Sequence, residues 1–140
     1  MRFLGVDFGS RRTGLAISDE LGLFAHSLKC IVSSDIAFTA RKVASVAQTE
    51  EVCRIVVGMP KNMNNSCGER VRLTLKFMEL LSDFIELPLV PFDERLTTAV
   101  ALRDLHACGT KREKRKNIID SVAATVLLQD YLDFLRNTKL

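Results

Sequence analysis

Carboxylates stand at three places in the chain where chemistry could occur. Asp7 ends the apolar run RFLGV, Asp93 and Glu94 follow the apolar run LPLVPF, and Asp120 lies in NIIDSVAAT. In open sheets built from alternating strands and helices, sites form outside the carboxyl ends of strands. Carboxylates gathered there repel one another unless protons or cations intervene, and Mg²⁺ and Mn²⁺ prefer such oxygen ligands. Their joint placement therefore predicts an acidic metal site.

Each acid also has a simpler interpretation when it is taken alone. Asp7 could cap the turn that follows it, and Glu94 could be an exposed acid before a helix. Asp120 comes three residues after Asn117 and could stabilise the positive end of a helix. Asp120 is also seven residues before Leu127, so the two share a helical face and Asp120 borders the apolar stripe.

Basic residues and glycines accompany the acids. Gly9, Ser10, Arg11 and Arg12 directly follow the first strand, in a loop suited to holding phosphate. The segment TKREKRKN, residues 110–117, holds five basic residues and one acid just before the Asp120 helix. A run of this kind is usually a solvated loop, and it gains meaning only if it lies beside a site.

The elements that must position these residues follow from periodicity and turn signals. RFLGVDF, GLAISD and HSLKCIV predict three closely spaced strands, hence an antiparallel meander. Helices are predicted over residues 33–48 and 69–84, from about Thr97, and after a cap at Asn117. On the second helix the predicted apolar face carries Val71, Leu75, Met78 and Leu81. CRIVVGMP and LPLVPF predict two further strands.

The resulting order, βββ-α-β-α-β-α-α, predicts an α/β fold with a mixed sheet and helices on both faces. With 140 residues, 47% of them hydrophobic and 26% charged, the chain suits one globular domain over residues 1–140. The net charge of +3 is too small to indicate a nucleic-acid partner by itself. Four scattered cysteines without CxxC spacing argue against a zinc site. We expect no signal peptide or membrane span, and a reducing cytoplasmic location.

Four segments together resemble the signature segments of the YqgF family. They are GVDFGSRRTGLAISD, VVGMPKNMNNSCGER, FDERLTT and IDSVAATVLLQDYL, in order and at matching spacing over nearly the whole chain. The family consists of bacterial ribonuclease H-like proteins, described as Holliday junction resolvases or pre-16S ribosomal RNA nucleases. The resemblance implies a ribonuclease H-like fold: a five-stranded mixed sheet of a three-strand antiparallel meander plus two parallel strands. Lys61 and Asn64 depart from the residues often found at those positions of the family.

The resemblance implies that Asp7, Glu94 and Asp120 form the catalytic acidic cluster. They would hold two Mg²⁺ or Mn²⁺ ions, about 4 Å apart in sites of this type, for phosphodiester hydrolysis. The implied substrate contacts come from the first glycine loop, two other loops and the basic segment: Gly9, Ser10, Arg11, Arg12, Asn62, Arg95, Lys111, Arg112, Lys114, Arg115 and Lys116. The glycines would let a nucleic-acid backbone come close, and the basic residues would meet phosphates.

The implied function is a metal-dependent endonuclease acting on structured nucleic acid, with the 5′ end of precursor 16S ribosomal RNA as the first choice. The expected partners are precursor rRNA or branched DNA and pre-ribosomal particles, with no membrane, and the chain would act as a monomer or a homodimer. Three alternatives stay open: a Holliday junction resolvase, a non-catalytic ribosome-assembly factor, and an ATP-binding enzyme of the actin and sugar-kinase type. The last shares the loop DFGSRRTG but places nucleotide between two domains, whereas 140 residues supply one.

Overall fold

The structure is a computed structural model that describes residues 1–60, 68–93 and 112–138, and the side chains of 122–137 within the last range. In chain order the elements are the strands and helices β1 (Phe3–Asp7), β2 (Arg12–Ser18), β3 (Ala25–Val32), α1 (Ile36–Thr49), β4 (Arg54–Met59), α2 (Gly68–Phe84), β5 (Leu89–Asp93) and α3 (Arg112–Thr138). The predicted order is confirmed for these elements. The helix predicted from about Thr97 lies outside the described residues.

The described strands form one mixed sheet in the order β3-β2-β1-β4-β5. β1, β2 and β3 pair antiparallel, whereas β4 pairs parallel with both β1 and β5. Val6 of β1 pairs with Val57 of β4, which in turn pairs with Pro91 of β5. The carboxyl ends of these three strands therefore lie at the same edge of the sheet, as the sequence predicts.

The two faces of the sheet carry separate cores, because successive strand residues point to opposite sides. Leu4 and Val6 of β1 pack with α1 and α2 in one buried cluster. Phe3 belongs to a second cluster with Ala124 and Leu128 of α3. Helices therefore cover both faces, with α1 and α2 on one side and α3 on the other.

Helix α3 crosses β1 at close range and in the opposite direction. The rings of Tyr131 and Phe3 meet edge to face with centroids 6.0 Å apart. Further along β1, a Cβ atom placed on Gly5 would lie 2.8 Å from Cβ of Leu128 and 3.3 Å from the carbonyl oxygen of Ala124. The N-terminal half of α3 therefore runs toward the carboxyl end of β1.

A glutamine fixes α3 to the turn between β2 and β3. Gln129 accepts a hydrogen bond from the Ala25 N–H (2.9 Å) and donates one to the Leu23 carbonyl oxygen (2.9 Å). These contacts join residues more than a hundred positions apart. They hold the helix in register on the meander.

Two predictions about helices are wrong in part. On α2 the predicted face is right for Leu81, which is buried, and for Met78, which packs against the core, but Leu75 is exposed and Thr74 and Phe77 are buried instead. The ring of Phe77 stacks on Phe8 with centroids 4.7 Å apart, and this contact turns the helix by part of a turn from the predicted face.

The second error concerns the start of the last helix. α3 begins at Arg112, so the segment Arg112–Lys116 is helical and Asn117 is not its cap. Arginine, lysine and glutamate are good helix formers, and no glycine or proline interrupts them. A high density of charged residues is therefore compatible with a helix and is not by itself a reason to predict a loop.

Two expectations about class can be compared with the described residues. Within them, no helix combines the length and apolar character needed to cross a membrane. Of the described cysteines, Cys30 and Cys53 take part in no disulfide.

Candidate active site at the carboxyl edge of the sheet

Asp7 is a buried carboxylate at the carboxyl end of the central strand. It is the last residue of β1 and is only 8% exposed. Strand alternation puts it on the same face as Phe3 and Gly5, which is the face covered by α3. A carboxylate in this position needs a compensating charge or several hydrogen bonds, because burial disfavours its ionised form.

Arg70 supplies a compensating charge. Its Nη2 atom lies 3.5 Å from Oδ1 of Asp7, and its side chain is about half exposed. Arg70 belongs to the first turn of α2, the next described element after β4. The ion pair therefore joins a buried acid to a cation that reaches in from solvent.

The turn between β1 and β2 lies beside Asp7. Phe8 is buried, Gly9 is half-buried, and Ser10 and Arg11 are exposed. A Cβ atom on Gly9 would lie 2.2 Å from the carbonyl oxygen of Arg12. Gly9 is therefore required by the backbone of the turn itself, in addition to any role in letting a ligand approach.

A pocket of about 440 Å³ opens between this turn and α2. It is lined by Phe8, Gly9, Ser10, Glu69, Arg70 and Leu73. Its polar wall thus combines the predicted phosphate loop with the arginine that contacts Asp7. The pocket is open to solvent beside the buried carboxylate.

A second ion pair lies on the outer side of the same helical turn. Arg72 donates from Nε to Oε2 of Glu69 at 3.1 Å, and its Nη2 contacts Oε1. The hydrogen bonds from Arg72 hold the pKa of Glu69 below its ordinary value, and those to Glu69 raise the pKa of Arg72. Both groups are exposed. Glu69 pairs with Arg72, whereas Arg70 pairs with Asp7.

The backbone of α3 brings the Asp120 segment toward this edge. Ala124 lies over Gly5, and Asp120 is one helical turn before Ala124. Leu127, which was predicted to share a helical face with Asp120, is fully buried, whereas the side chain of Asp120 lies outside the described ones. Arg112, Lys114, Arg115 and Lys116 also lie in α3, in its first turns.

The remaining predicted residues lie outside the described ranges. They are Glu94, Asn62, Arg95 and Lys111, together with the two departures Lys61 and Asn64. In the ranges 1–60, 68–93 and 122–137, no three His, Cys, Asp or Glu side chains form a group that could hold a metal ion. Of the predicted acidic cluster, the described side chains include Asp7 alone.

Arg70 ends the segment VVGMPKNMNNSCGER but was not among the predicted site residues. The position of Arg70 in the sequence nevertheless gave an indication of its role. α2 begins soon after the carboxyl end of β4, so its first turn must lie near the edge that carries Asp7. A cation in the first turn interacts unfavourably with the helix dipole, which favours acids at this end. An arginine there therefore indicates some other favourable interaction.

Comparison with known proteins identifies the family. The family model described as "RuvX: Holliday junction resolvase" matches residues 1–134. The chain belongs to the RuvX family. This confirms the resemblance to the YqgF family, which is the same family, and makes the chain a member of a nuclease family.

Two RuvX relatives match along nearly their whole length. A protein of Agathobacter rectalis is 41% identical over 142 residues, covering 99% of this chain and 99% of the relative. A protein of Clostridium botulinum strain Hall is 41% identical over 135 residues, covering 96% of this chain and 98% of the relative. Both carry the name "Putative pre-16S rRNA nuclease".

Solved structures show the fold of this RuvX family member to be ribonuclease H-like, as predicted. Thermus thermophilus RuvC, solved in complex with a Holliday junction substrate, aligns with a TM-score of 0.63 at 17% identity, over 99% of this chain and 97% of RuvC. The Fowlpox virus resolvase, solved with Holliday junction DNA, aligns with a TM-score of 0.54 at 14% identity, over 96% and 99% of the two chains.

Proposed function

We propose that residues 1–140 form one nuclease domain, a divalent-metal-dependent endonuclease that cleaves structured nucleic acid and processes the 5′ end of precursor 16S ribosomal RNA. Asp7, Glu94 and Asp120 are its catalytic and metal-binding acids. Family membership supports the reaction class, and the names of the 41% identical relatives support the ribosomal substrate.

One observation carries the proposal: α3 runs antiparallel over β1 toward Asp7. From Gly5 to Asp7 the strand advances about 6.6 Å. From Ala124 back to Asp120 the helix covers about 6 Å in the matching direction. Since Ala124 lies against Gly5, Asp120 comes level with Asp7 on the same face of the sheet. Glu94 directly follows β5, whose carboxyl end shares this edge.

The chemistry of Asp7 fits a divalent ion. Its carboxylate is buried, and a cationic group already lies 3.5 Å away. Carboxylate oxygens are the ligands that Mg²⁺ and Mn²⁺ prefer. Asp7, Glu94 and Asp120 would hold the metal, which when bound activates water and stabilises the leaving oxygen.

The chain's other residues bind and orient the substrate. Ser10 and Arg11 are exposed on the turn beside Asp7, where they can contact the phosphates that flank the scissile bond. Arginine forms paired hydrogen bonds to phosphate oxygens, which fix orientation as well as position. The basic residues of Arg112–Lys116 precede Asp120 on α3. They extend the positive surface along the path of the nucleic acid.

The family description gives a second candidate, a Holliday junction resolvase acting on branched DNA. The same acidic site would serve either substrate, because phosphodiester hydrolysis does not depend on the sugar. A resolvase needs two sites related by symmetry, so it would act as a dimer. A single site on precursor rRNA needs only the monomer.

The deciding experiment offers both substrates to the purified protein in parallel. Precursor 16S rRNA and a four-way DNA junction are incubated with Mg²⁺ or Mn²⁺, and cleavage is mapped on gels. Site-specific cleavage of the rRNA precursor alone supports the first proposal, and symmetric cuts in the junction support the second. Binding without cleavage of either substrate, at any metal concentration, identifies a non-catalytic assembly factor.

Matched substitutions test the acids. Asp7→Asn, Glu94→Gln and Asp120→Asn should each lower the cleavage rate by about 10³-fold, because bound metal supplies several kcal/mol and 1.36 kcal/mol is a factor of ten. Asp93→Asn is the control beside Glu94, and Asp130→Asn is the control on α3. Both controls should retain near wild-type rates. Full activity in Asp7→Asn would exclude the proposed site.

A further inference from the structure

We propose that Arg70 alternates between two anions: the carboxylate of Asp7 when no divalent ion is bound, and a substrate phosphate when one is. The inference rests on the proposed function, since it concerns the same site. It assigns a positioning role to the last residue of the signature segment VVGMPKNMNNSCGER, which was not among the predicted site residues.

The pairing of Arg70 with Asp7 in the absence of a divalent ion follows from the observed ion pair. Nη2 of Arg70 lies 3.5 Å from Oδ1 of the buried Asp7. A guanidinium at that distance and a divalent ion held by Asp7 would both interact with the charge of one carboxylate. Both cations seek the same negative charge, and like charges a few ångströms apart repel. Metal binding to Asp7 therefore weakens the hold on Arg70, and Arg70 in turn lowers the affinity for metal.

The proposed contact of Arg70 with a substrate phosphate follows from the surroundings of its side chain. Its side chain is about half exposed and lines the pocket of about 440 Å³ together with Gly9 and Ser10. These are residues of the turn that we propose to contact phosphate. A guanidinium displaced from Asp7 thus remains beside the substrate path, where it can form paired hydrogen bonds with phosphate.

The neighbouring arginine provides the matched control. Arg72 lies two residues later on α2, is similarly exposed, and pairs with Glu69. It carries the same charge on the same helical turn, but its ion pair is with Glu69. Any effect specific to the contact with Asp7 should appear on substitution of Arg70 and be absent on substitution of Arg72.

The first measurement is a calorimetric titration with MnCl₂ without nucleic acid. Arg70→Gln should bind Mn²⁺ about two- to fivefold more tightly than wild type, the range expected for an ion pair with a half-exposed arginine. Arg70→Lys keeps the charge and should stay close to wild type, as should Arg72→Gln. Melting curves of each variant verify that it folds.

The second measurement is the salt dependence of binding to a DNA junction, with Ca²⁺ or with EDTA. In Ca²⁺ the slope of log affinity against log salt should fall by about 0.9 in Arg70→Gln, the value for one phosphate contact on a duplex. In EDTA, where Asp7 retains Arg70, the slope should equal that of wild type. Arg72→Gln should show no such difference between the two conditions.

Asp7→Asn separates failure of this inference from failure of the proposed function. If Asp7→Asn binds Mn²⁺ as wild type does, the proposed metal site is wrong. If Asp7→Asn loses Mn²⁺ but Arg70→Gln binds it no more tightly than wild type, the alternation of Arg70 is wrong and the metal site stands. An equal loss of slope in Ca²⁺ and EDTA would also overturn the alternation.

Discussion

Substitution of Gly5 by alanine tests the close approach of α3 to β1. The added Cβ would lie 2.8 Å from Cβ of Leu128 and 3.3 Å from the Ala124 carbonyl oxygen. Carbon atoms in contact are normally about 3.5–4.0 Å apart, so the helix must move outward by about 1 Å. Overpacking of this kind costs about 1–3 kcal/mol. Alanine in place of glycine recovers about 0.5–1 kcal/mol within a strand.

The net destabilisation is therefore about 0–2.5 kcal/mol. At about 3–4 °C per kcal/mol for a chain of this size, Tm should fall by up to about 10 °C. Activity should fall more than stability, because α3 carries Asp120, a proposed catalytic residue. A displacement of about 1 Å in a catalytic group can cost about 100-fold in rate. Gly5→Ala should thus be a folded protein with severely reduced cleavage.

The assay pairs calorimetric melting with single-turnover cleavage. Gly68→Ala is the control, because a Cβ on Gly68 would meet nothing within 4 Å and alanine suits a helix better than glycine. Its Tm should equal or slightly exceed that of wild type, with normal cleavage. If Gly5→Ala melts at or above the wild-type Tm and cleaves at the wild-type rate, α3 does not contact β1 as described and the placement of Asp120 loses its support.

Three further predictions concern the turn, α3 and the basic segment. Gly9→Ala should destabilise the protein by at least about 2 kcal/mol in denaturant titrations, since its Cβ would lie 2.2 Å from the rigid backbone oxygen of Arg12. Burial, and then the charge of Asp133, raise the pKa of Asp130 above 3.8. The ionised form thus opposes folding, so Asp130→Asn should raise Tm at pH 7, and the gain should vanish as the pH falls below 3.8. Replacing the five basic residues of 111–116 by alanine should reduce the salt slope of nucleic-acid binding by about one unit per lost contact; an unchanged slope would make the segment a solvated surface.

The strands and their order were predictable because the sequence pattern of each strand agrees with the way the strand packs in the sheet. β1 and β4 are apolar on both faces, as strands covered on both sides must be. The acid that ends β1 was predicted to be a site residue from the edge at which it stands, and that role stays a prediction. Asp7 is buried in the structure.

The errors concern features of the structure that a contact between distant elements determines. On α2, Leu75 and Phe77 both fit a helical apolar pattern, and only the stacking of Phe77 on Phe8 selects the buried face. The start of α3 at Arg112 depended on the helix propensity of charged residues, which the charge density concealed. The pairing of Arg70 with Asp7 joins residues 63 positions apart, and no local pattern reports such a pair.

The position of α3 has a consequence for synthesis of the chain. α3 follows every described strand in sequence, yet it packs against β1, β2 and β3 on one face of the sheet. While the polypeptide is being made, that face, with Phe3, Ala16 and Val56, stays uncovered until α3 has emerged. The Gln129 contacts to the β2–β3 turn join residues more than a hundred positions apart, and such non-local closure slows folding. A stalled or truncated nascent chain would therefore present a bare apolar sheet to chaperones and to other chains.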